Sequence, residues 1–78
     1  MAHYHLNIRY RGRLYRDEEG EDIPGEIEMK VRAVQTAQDL IGTPSYTIPD
    51  WLDCTLEVTN EAGETVLILP FTEAVEEV

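Results

Sequence analysis

In two segments of this 78-residue chain, an apolar residue stands at every second position with polar residues between. A segment with helical spacing lies between the two. The first runs from His3 to Arg11 and the second from Leu52 to Thr59. Strict alternation is typical of strands that bury one face and expose the other. The two segments therefore predict an antiparallel sheet with one covered face and one open face.

Two further strands are expected from turn chemistry and composition. Gly12 can adopt the positive φ of a tight hairpin, so a short return strand is expected over Leu14 to Arg16. The β-forming residues from Thr65 to Phe71 predict a last strand after a hairpin loop at Asn60 to Glu64. We interpret the polar, glycine-containing stretch from Asp17 to Asp22 as a solvated turn.

One helix is predicted over Gly25 to Ile41, because apolar residues recur there with helical spacing. The side chains expected to face the sheet share one stripe, widened by small or neighbouring apolar residues: Ile27, Val31, Val34 and Ile41, with Ala33, Ala37 and Leu40. The following segment, from Thr43 to Asp50, contains two prolines and is expected to be irregular.

The predicted order is β-β-α-β-β, an α+β domain with a four-stranded antiparallel sheet and one helix on one face. A right-handed crossover that skips one position gives the strand order 2-1-3-4. We expect residues 1–72 to form a single domain and residues 73–78 to be an acidic, frayed tail.

The formal charge of −10 is unevenly distributed along the chain. Residues 1–16 hold four arginines and no acid, whereas residues 33–78 hold nine acids and no lysine or arginine. The arginines lie among tyrosines, as in binders of single-stranded nucleic acid: Arg9, Arg11, Arg13 and Arg16. The net charge opposes binding to a polyanion.

Ion pairing within the sheet is the preferred role of two of these arginines. Arg9 and Arg11 are expected on the open face, where Asp53 and Glu57 would lie beside them. Nucleic-acid binding by the arginine hairpin is kept as an alternative.

Several motifs resemble those of an uncharacterised family of short bacterial single-domain proteins. The motifs are the start Tyr4-His5-Leu6-Asn7-Ile8, the Asp17-Glu18-Glu19-Gly20 step, the alanine-bearing helix, and the Val58-Thr59-Asn60-Glu61-Ala62-Gly63 hairpin. Leu6 stands where that family usually has an aromatic residue, and Asn60 where it usually has Asp. The resemblance implies a fold and leaves function open. A looser likeness to small β-rich antitoxins rests on element order alone.

Few residues suggest chemistry. His3 and His5 would share one strand face and could supply two metal ligands, although surface histidines are the more common interpretation. Cys54, the single cysteine, occupies one of the apolar positions in the alternation of its strand and is expected to be buried. We therefore expect no enzyme activity and no cofactor.

Exposed apolar residues point instead to a protein partner. The candidates are the aromatic residues of the long loop and the apolar residues of the last strand: Tyr46, Trp51, Leu67, Leu69 and Phe71. For Trp51, closing the open end of the core is the preferred role, and an exposed contact is the alternative. A strand with apolar side chains on both faces is unusual at a sheet edge unless another chain covers it. The sequence thus favours a small protein-interaction module, self-associating as a homodimer.

The cellular location of the protein is inferred only from the lack of transmembrane and secretory segments in the sequence. The longest apolar run, Val66 to Phe71, is far shorter than the roughly 20 residues that cross a bilayer. The first residues show no secretory signal. We expect a cytoplasmic protein without membrane contact.

Overall fold

An antiparallel sheet carries one main helix on one face in the computed structural model, which describes residues 2–43 and 50–76. The elements in chain order are β1 (Ala2–Tyr10), β2 (Arg13–Tyr15), β3 (Glu21–Ile23), α1 (Glu26–Ile41), a 3₁₀ turn (Trp51–Asp53), β4 (Cys54–Thr59), β5 (Thr65–Pro70) and α2 (Phe71–Glu76). The predicted α+β class is confirmed.

The sheet has the order β2-β1-β4-β5, with β3 also paired to β1. In chain order of the four predicted strands, this is the predicted 2-1-3-4 arrangement. β1 lies in the centre, where His5 pairs with Thr59 and Tyr10 with Cys54 across to β4. The β1–β2 hairpin turns at Arg11 and Gly12, which both have positive φ.

The prediction of only four strands was wrong, because the expected solvated turn ends in a fifth strand. β3 pairs antiparallel with the start of β1, and Ile23 is buried in the core. The turn before β3 needs Gly20, whose φ is +69°. A Cβ atom on Gly20 would lie 2.7 Å from the Tyr4 carbonyl oxygen and 2.6 Å from the His3 Nε2.

Both ends of the β4–β5 hairpin also differ from the prediction. The strand expected to begin at Leu52 begins at Cys54, because Trp51–Asp53 forms a 3₁₀ turn capped by the Asp50 carboxylate. The strand expected to include Phe71 ends at Pro70. Phe71 instead begins α2, which includes residues 73–76 of the expected tail, and residues 77–78 lie outside the described residues.

Helix α1 has the predicted extent, and part of its predicted stripe faces the core: Ala33 and Ala37 are buried, and Val34, Leu40 and Ile41 are half-buried. Met29, Ala33 and Ala37 are buried against the sheet, whereas Ile27 and Val31 are 75% and 53% exposed. The buried stripe is thus centred on the alanine side of the predicted stripe, roughly 100° around the helix from Ile27 and Val31. The two alanines have small side chains, so this face can approach the sheet more closely than a stripe of Ile and Val.

The core lies between α1, α2 and the covered face of the sheet. Its largest fully buried side chains come from all three layers: Phe71, Met29, Leu56, Val58 and Cys54. The open face of the sheet carries mostly polar side chains, together with Leu14 of β2 and the exposed apolar residues of β5 described below.

We predict that Gly20→Ala destabilises the fold more than Gly63→Ala does. Both glycines have positive φ, which costs an L-residue about 1–2 kcal/mol. Only the Cβ at position 20 meets backbone within 3 Å, whereas nothing lies within 4 Å at Gly63. The additional overpacking should cost about 1–3 kcal/mol, as measured by urea unfolding. Equal losses of unfolding free energy would contradict this account.

Candidate functional site

On one edge of β1, a side chain supplies a hydrogen-bond acceptor in the gap between two short strands. β2 pairs with Ile8–Tyr10 and β3 pairs with Ala2–Tyr4 on the same side of β1. Between them, the Leu6 backbone N–H donates to the Asp17 carboxylate at 3.1 Å. The other oxygen of Asp17 accepts from the Gly20 N–H at 3.3 Å. The Asp17 carboxylate thus accepts the hydrogen bond that a carbonyl group of a neighbouring strand would otherwise accept. Its contact with Gly20 holds the backbone of the D-x-x-G motif in a turn.

Asn7 ties the same turn to β4. Its side chain is on the open face, yet the residue is only 6% exposed. The amide nitrogen donates to the Glu57 carbonyl oxygen at 3.0 Å, and the amide oxygen accepts from the Asp17 N–H at 3.0 Å. The buried amide is satisfied on both sides, as burial of a polar group requires.

The side chains of the two histidines are hydrogen-bonded to residues of the segment 17–22. His3 Nδ1 lies 2.7 Å from an Asp22 carboxylate oxygen, and its Nε2 lies 2.9 Å from the Glu19 carbonyl oxygen. His5 Nδ1 lies 2.6 Å from the Asp17 carbonyl oxygen. Both ring nitrogens of His3 are therefore occupied, and a metal ion could bind there only by displacing these contacts. Within residues 2–43 and 50–76, no cluster of metal-ligating side chains is present.

The expected ion pairs across the open face are present. The Arg9 Nε lies 2.5 Å from a Glu57 carboxylate oxygen, and Arg11 Nη2 lies 3.2 Å from that of Asp53. These hydrogen bonds raise the pKa of both guanidinium groups. Two of the four arginines of the hairpin are thus neutralised locally, which weakens the case for a nucleic-acid surface.

The other two arginines do not share one face of the sheet: Arg13 pairs with Tyr10 of the helix-covered face, whereas Arg16 is on the open side. Arg13 lies over the Tyr15 ring, 5.5 Å from its centroid. Arg16 lines a shallow depression of about 570 Å³, together with Asp17, Glu18 and Glu61. Acids outnumber bases around the depression, so it is a poor match for a phosphate backbone.

Cys54 is buried, as its strand phase predicts, with 2% of its surface exposed. Burial raises the pKa of the thiol, and the carboxylates of Asp53 and Asp50 raise it further. The thiol is therefore held in its protonated form, which is a weak nucleophile.

The aromatic candidates divide between the core and undescribed parts of the chain. Phe71 is fully buried, so it cannot be an exposed contact. Trp51 stacks on Phe71 with ring centroids 6.1 Å apart, and its indole N–H donates to the Thr43 carbonyl oxygen. Trp51 thus closes one end of the core. Tyr46 lies outside the described residues.

The last strand presents an apolar edge. β5 has β4 on one side and is the end of the strand order. It contains no charged residue, and its side chains are apolar on both faces. Ile68 is 61% exposed and Val66 36% exposed. Unprotected apolar edges are rare in monomers because they pair with other chains.

A groove runs beside this edge on the helix face. It lies between α1 and β5 and is lined by Lys30, Val31, Val34, Gln35, Gln38, Leu67 and Leu69. We call this groove and the β5 edge together the β5–α1 surface. On the β5–α1 surface, Leu67 is half-exposed and Leu69 is buried. Sequence patterning identified the β5 residues, but it placed Val31 and Ile27 in the core.

In the parts of the chain that the structure describes, no helix is long and apolar enough to cross a membrane.

Comparison with known proteins gives one match. A family model described as a domain of unknown function, DUF6894, matches residues 3–72. No curated protein and no solved structure matches this chain. The matched residues include the D-x-x-G turn and the β4–β5 hairpin, whose loop is held by Asn60 Oδ1 accepting from the Ala62 and Glu64 N–H groups.

We predict that Asp22→Asn lowers the pKa of His3. Hydrogen bonding to Asp22, then to the Glu19 carbonyl, raises this pKa above 6.5. A raised folded-state pKa means that the contact stabilises β3 fully below pH 6.5 and is lost as the pH rises through the folded value. An NMR titration of the His3 ring should show the shift, whereas Asp53→Asn should leave it unchanged. An unaltered His3 pKa in Asp22→Asn would contradict the role of this contact.

Proposed function

We propose that this chain, which belongs to the DUF6894 family of domains of unknown function, is a non-catalytic protein-interaction module that self-associates through its β5–α1 surface. The observation that carries the proposal is the β5 edge, which no strand within residues 2–43 and 50–76 pairs with on its outer side, and which is apolar on both faces and borders an apolar groove.

Strand addition is the interaction that such an edge supports best. The outer side of β5 presents backbone N–H and C=O groups, and a strand from another chain can satisfy them while its side chains meet apolar neighbours. Leu67 would contribute on the helix face and Ile68 on the open face. A domain of this size has a thin core, so additional burial between copies would also stabilise it.

The side chains that could in principle take part in catalysis are engaged in structural contacts, which supports a binding role. His3, His5 and Asp17 are hydrogen-bonded to the turn before β3. Cys54 is buried with a raised pKa. These side chains stabilise the fold in their present contacts, and each would have to leave them to act on a substrate.

Sedimentation velocity of the wild-type chain and Ile68→Lys tests the proposal. At about 100 μM, far above a micromolar dissociation constant, the wild type should sediment as a dimer. A lysine at position 68 places a charge on the edge, which opposes strand pairing. We expect Ile68→Lys to raise the dissociation constant at least ~10-fold, equivalent to about 1.4 kcal/mol.

The matched control is Leu52→Lys, which places the same charge on a residue that is 47% exposed but lies in the 3₁₀ turn. It should dimerise like the wild type. A wild-type chain that is monomeric at this concentration would overturn the proposal, as would equal weakening by the two variants.

A further inference from the structure

The backbone groups on the outer side of β5 follow from the hydrogen bonds deeper in the sheet. The Leu6 N–H points away from β4, because it donates to Asp17 on the other side of β1. Leu6 pairs with Val58, so the backbone groups of Val58 point to β5, where its partner is Leu67. Successive residues of a strand point these groups to opposite sides. The N–H and C=O groups of Ile68 therefore point out of the sheet edge.

Two features interrupt this edge, one on each side of Ile68. Pro70 is the next residue that faces outward, and a proline has no N–H to donate. On the other side, Val66 has no partner in β4, because the register shifts so that Thr59 pairs with Thr65. Bulges and prolines commonly limit pairing at a sheet edge. Within this fully described strand, Ile68 is thus the one regular position with an outward donor and acceptor.

We propose that two copies of this chain pair their β5 strands antiparallel in a single register, with the two Ile68 residues opposite each other on the two-fold axis. The inference rests on the proposed function, since it gives the register of the same association. Each Ile68 N–H donates to the C=O of Ile68 of the partner subunit. This arrangement satisfies both outward groups of the residue and needs no regular donor from Val66 or Pro70.

The two interruptions match each other across the axis, which favours a second copy over an unrelated regular strand. With Ile68 on the axis, Pro70 lies opposite Val66 of the partner subunit. The donor that Pro70 lacks is therefore missing at the residue where the partner's own ladder is irregular. An unbroken strand would instead place a regular C=O group opposite Pro70, and burying that group without a donor is unfavourable.

The side chains at this contact are apolar on both faces of the sheet. On the open face, the two Ile68 side chains lie side by side, and each is 61% exposed in the single chain. On the helix face, Leu67 lies opposite Leu69 of the partner subunit, and both residues line the groove beside α1. β5 contains no charged residue, so the net charge of −10 on each copy puts no like charges at the contact.

Cysteine cross-linking tests the register. Residues that exchange both hydrogen bonds have Cα atoms about 5.5 Å apart, within the range of a disulfide. Under mild oxidation, Ile68→Cys should become mostly disulfide-linked dimer. The matched control is Leu67→Cys, whose two copies would be offset along the strands by two residues and about 8 Å apart, too far for a disulfide. Cys54 can stay in place because it is buried.

A pair of charge variants tests whether the axis passes through this residue. Ile68→Lys and Ile68→Glu each place two like charges opposite each other, so each variant alone should sediment mainly as monomer. A mixture of the two places opposite charges across the axis, so a mixed dimer should reappear. If the mixture stays as monomeric as the separate variants, position 68 is not on the axis and the inference is overturned.

The outcomes separate this inference from the proposed function. If the chain sediments as a dimer that Ile68→Lys disrupts, but Leu67→Cys cross-links better than Ile68→Cys, then the β5 edges pair in another register and the inference fails alone. The same holds for a dimer in which neither variant cross-links. If the chain is monomeric and neither variant cross-links, the inference and the proposed function both fail.

Discussion

A single carboxylate completes the central strand, and the rest of the sheet depends on it. The chain must leave β2 and return to the same edge of β1 as β3 within five residues, 16–20. This leaves the Leu6 N–H without a strand partner, and Asp17 supplies the acceptor. Asn7 then connects the turn to β4. Since a buried backbone donor without a partner costs about 1–3 kcal/mol, the position of β3 is fixed by these contacts.

Periodicity was sufficient to predict the long elements and their order. β1, α1 and β4 were found because their apolar residues recur over six or more positions, whereas β5 followed from its β-forming composition after a hairpin loop. The open-face ion pairs followed from the same phase, since Arg9 and Glu57 project from one side. β3 could not be predicted this way, because its three residues carry no period and its pairing depends on distant contacts of His3 and Asp17.

The buried face of α1 was mispredicted for a different reason. A hydrophobic pattern weights large side chains, so the predicted stripe was centred on residues such as Ile27 and Val31 and had Ala33 and Ala37 only at its edge. Packing favours the small residues where a helix must lie close to a sheet. The same weighting extended β5 to Phe71, whose burial is equally compatible with the first turn of α2. Of the candidate contacts, the β5 residues could be identified from sequence, whereas the groove depends on the rotation of α1.

The D-x-x-G turn and the surface proposed for association are separate parts of the molecule. Asp17 and Gly20 stabilise the backbone, whereas Ile27 and Val31 lie largely outside the monomer core. If the β5–α1 surface pairs two copies as proposed, substitutions at Val31 and Ile68 would change the pairing preference at little cost to the monomer fold. Two duplicated genes for such a chain could diverge at these few positions and keep their products from mixing, so that each subunit recognises only its own kind.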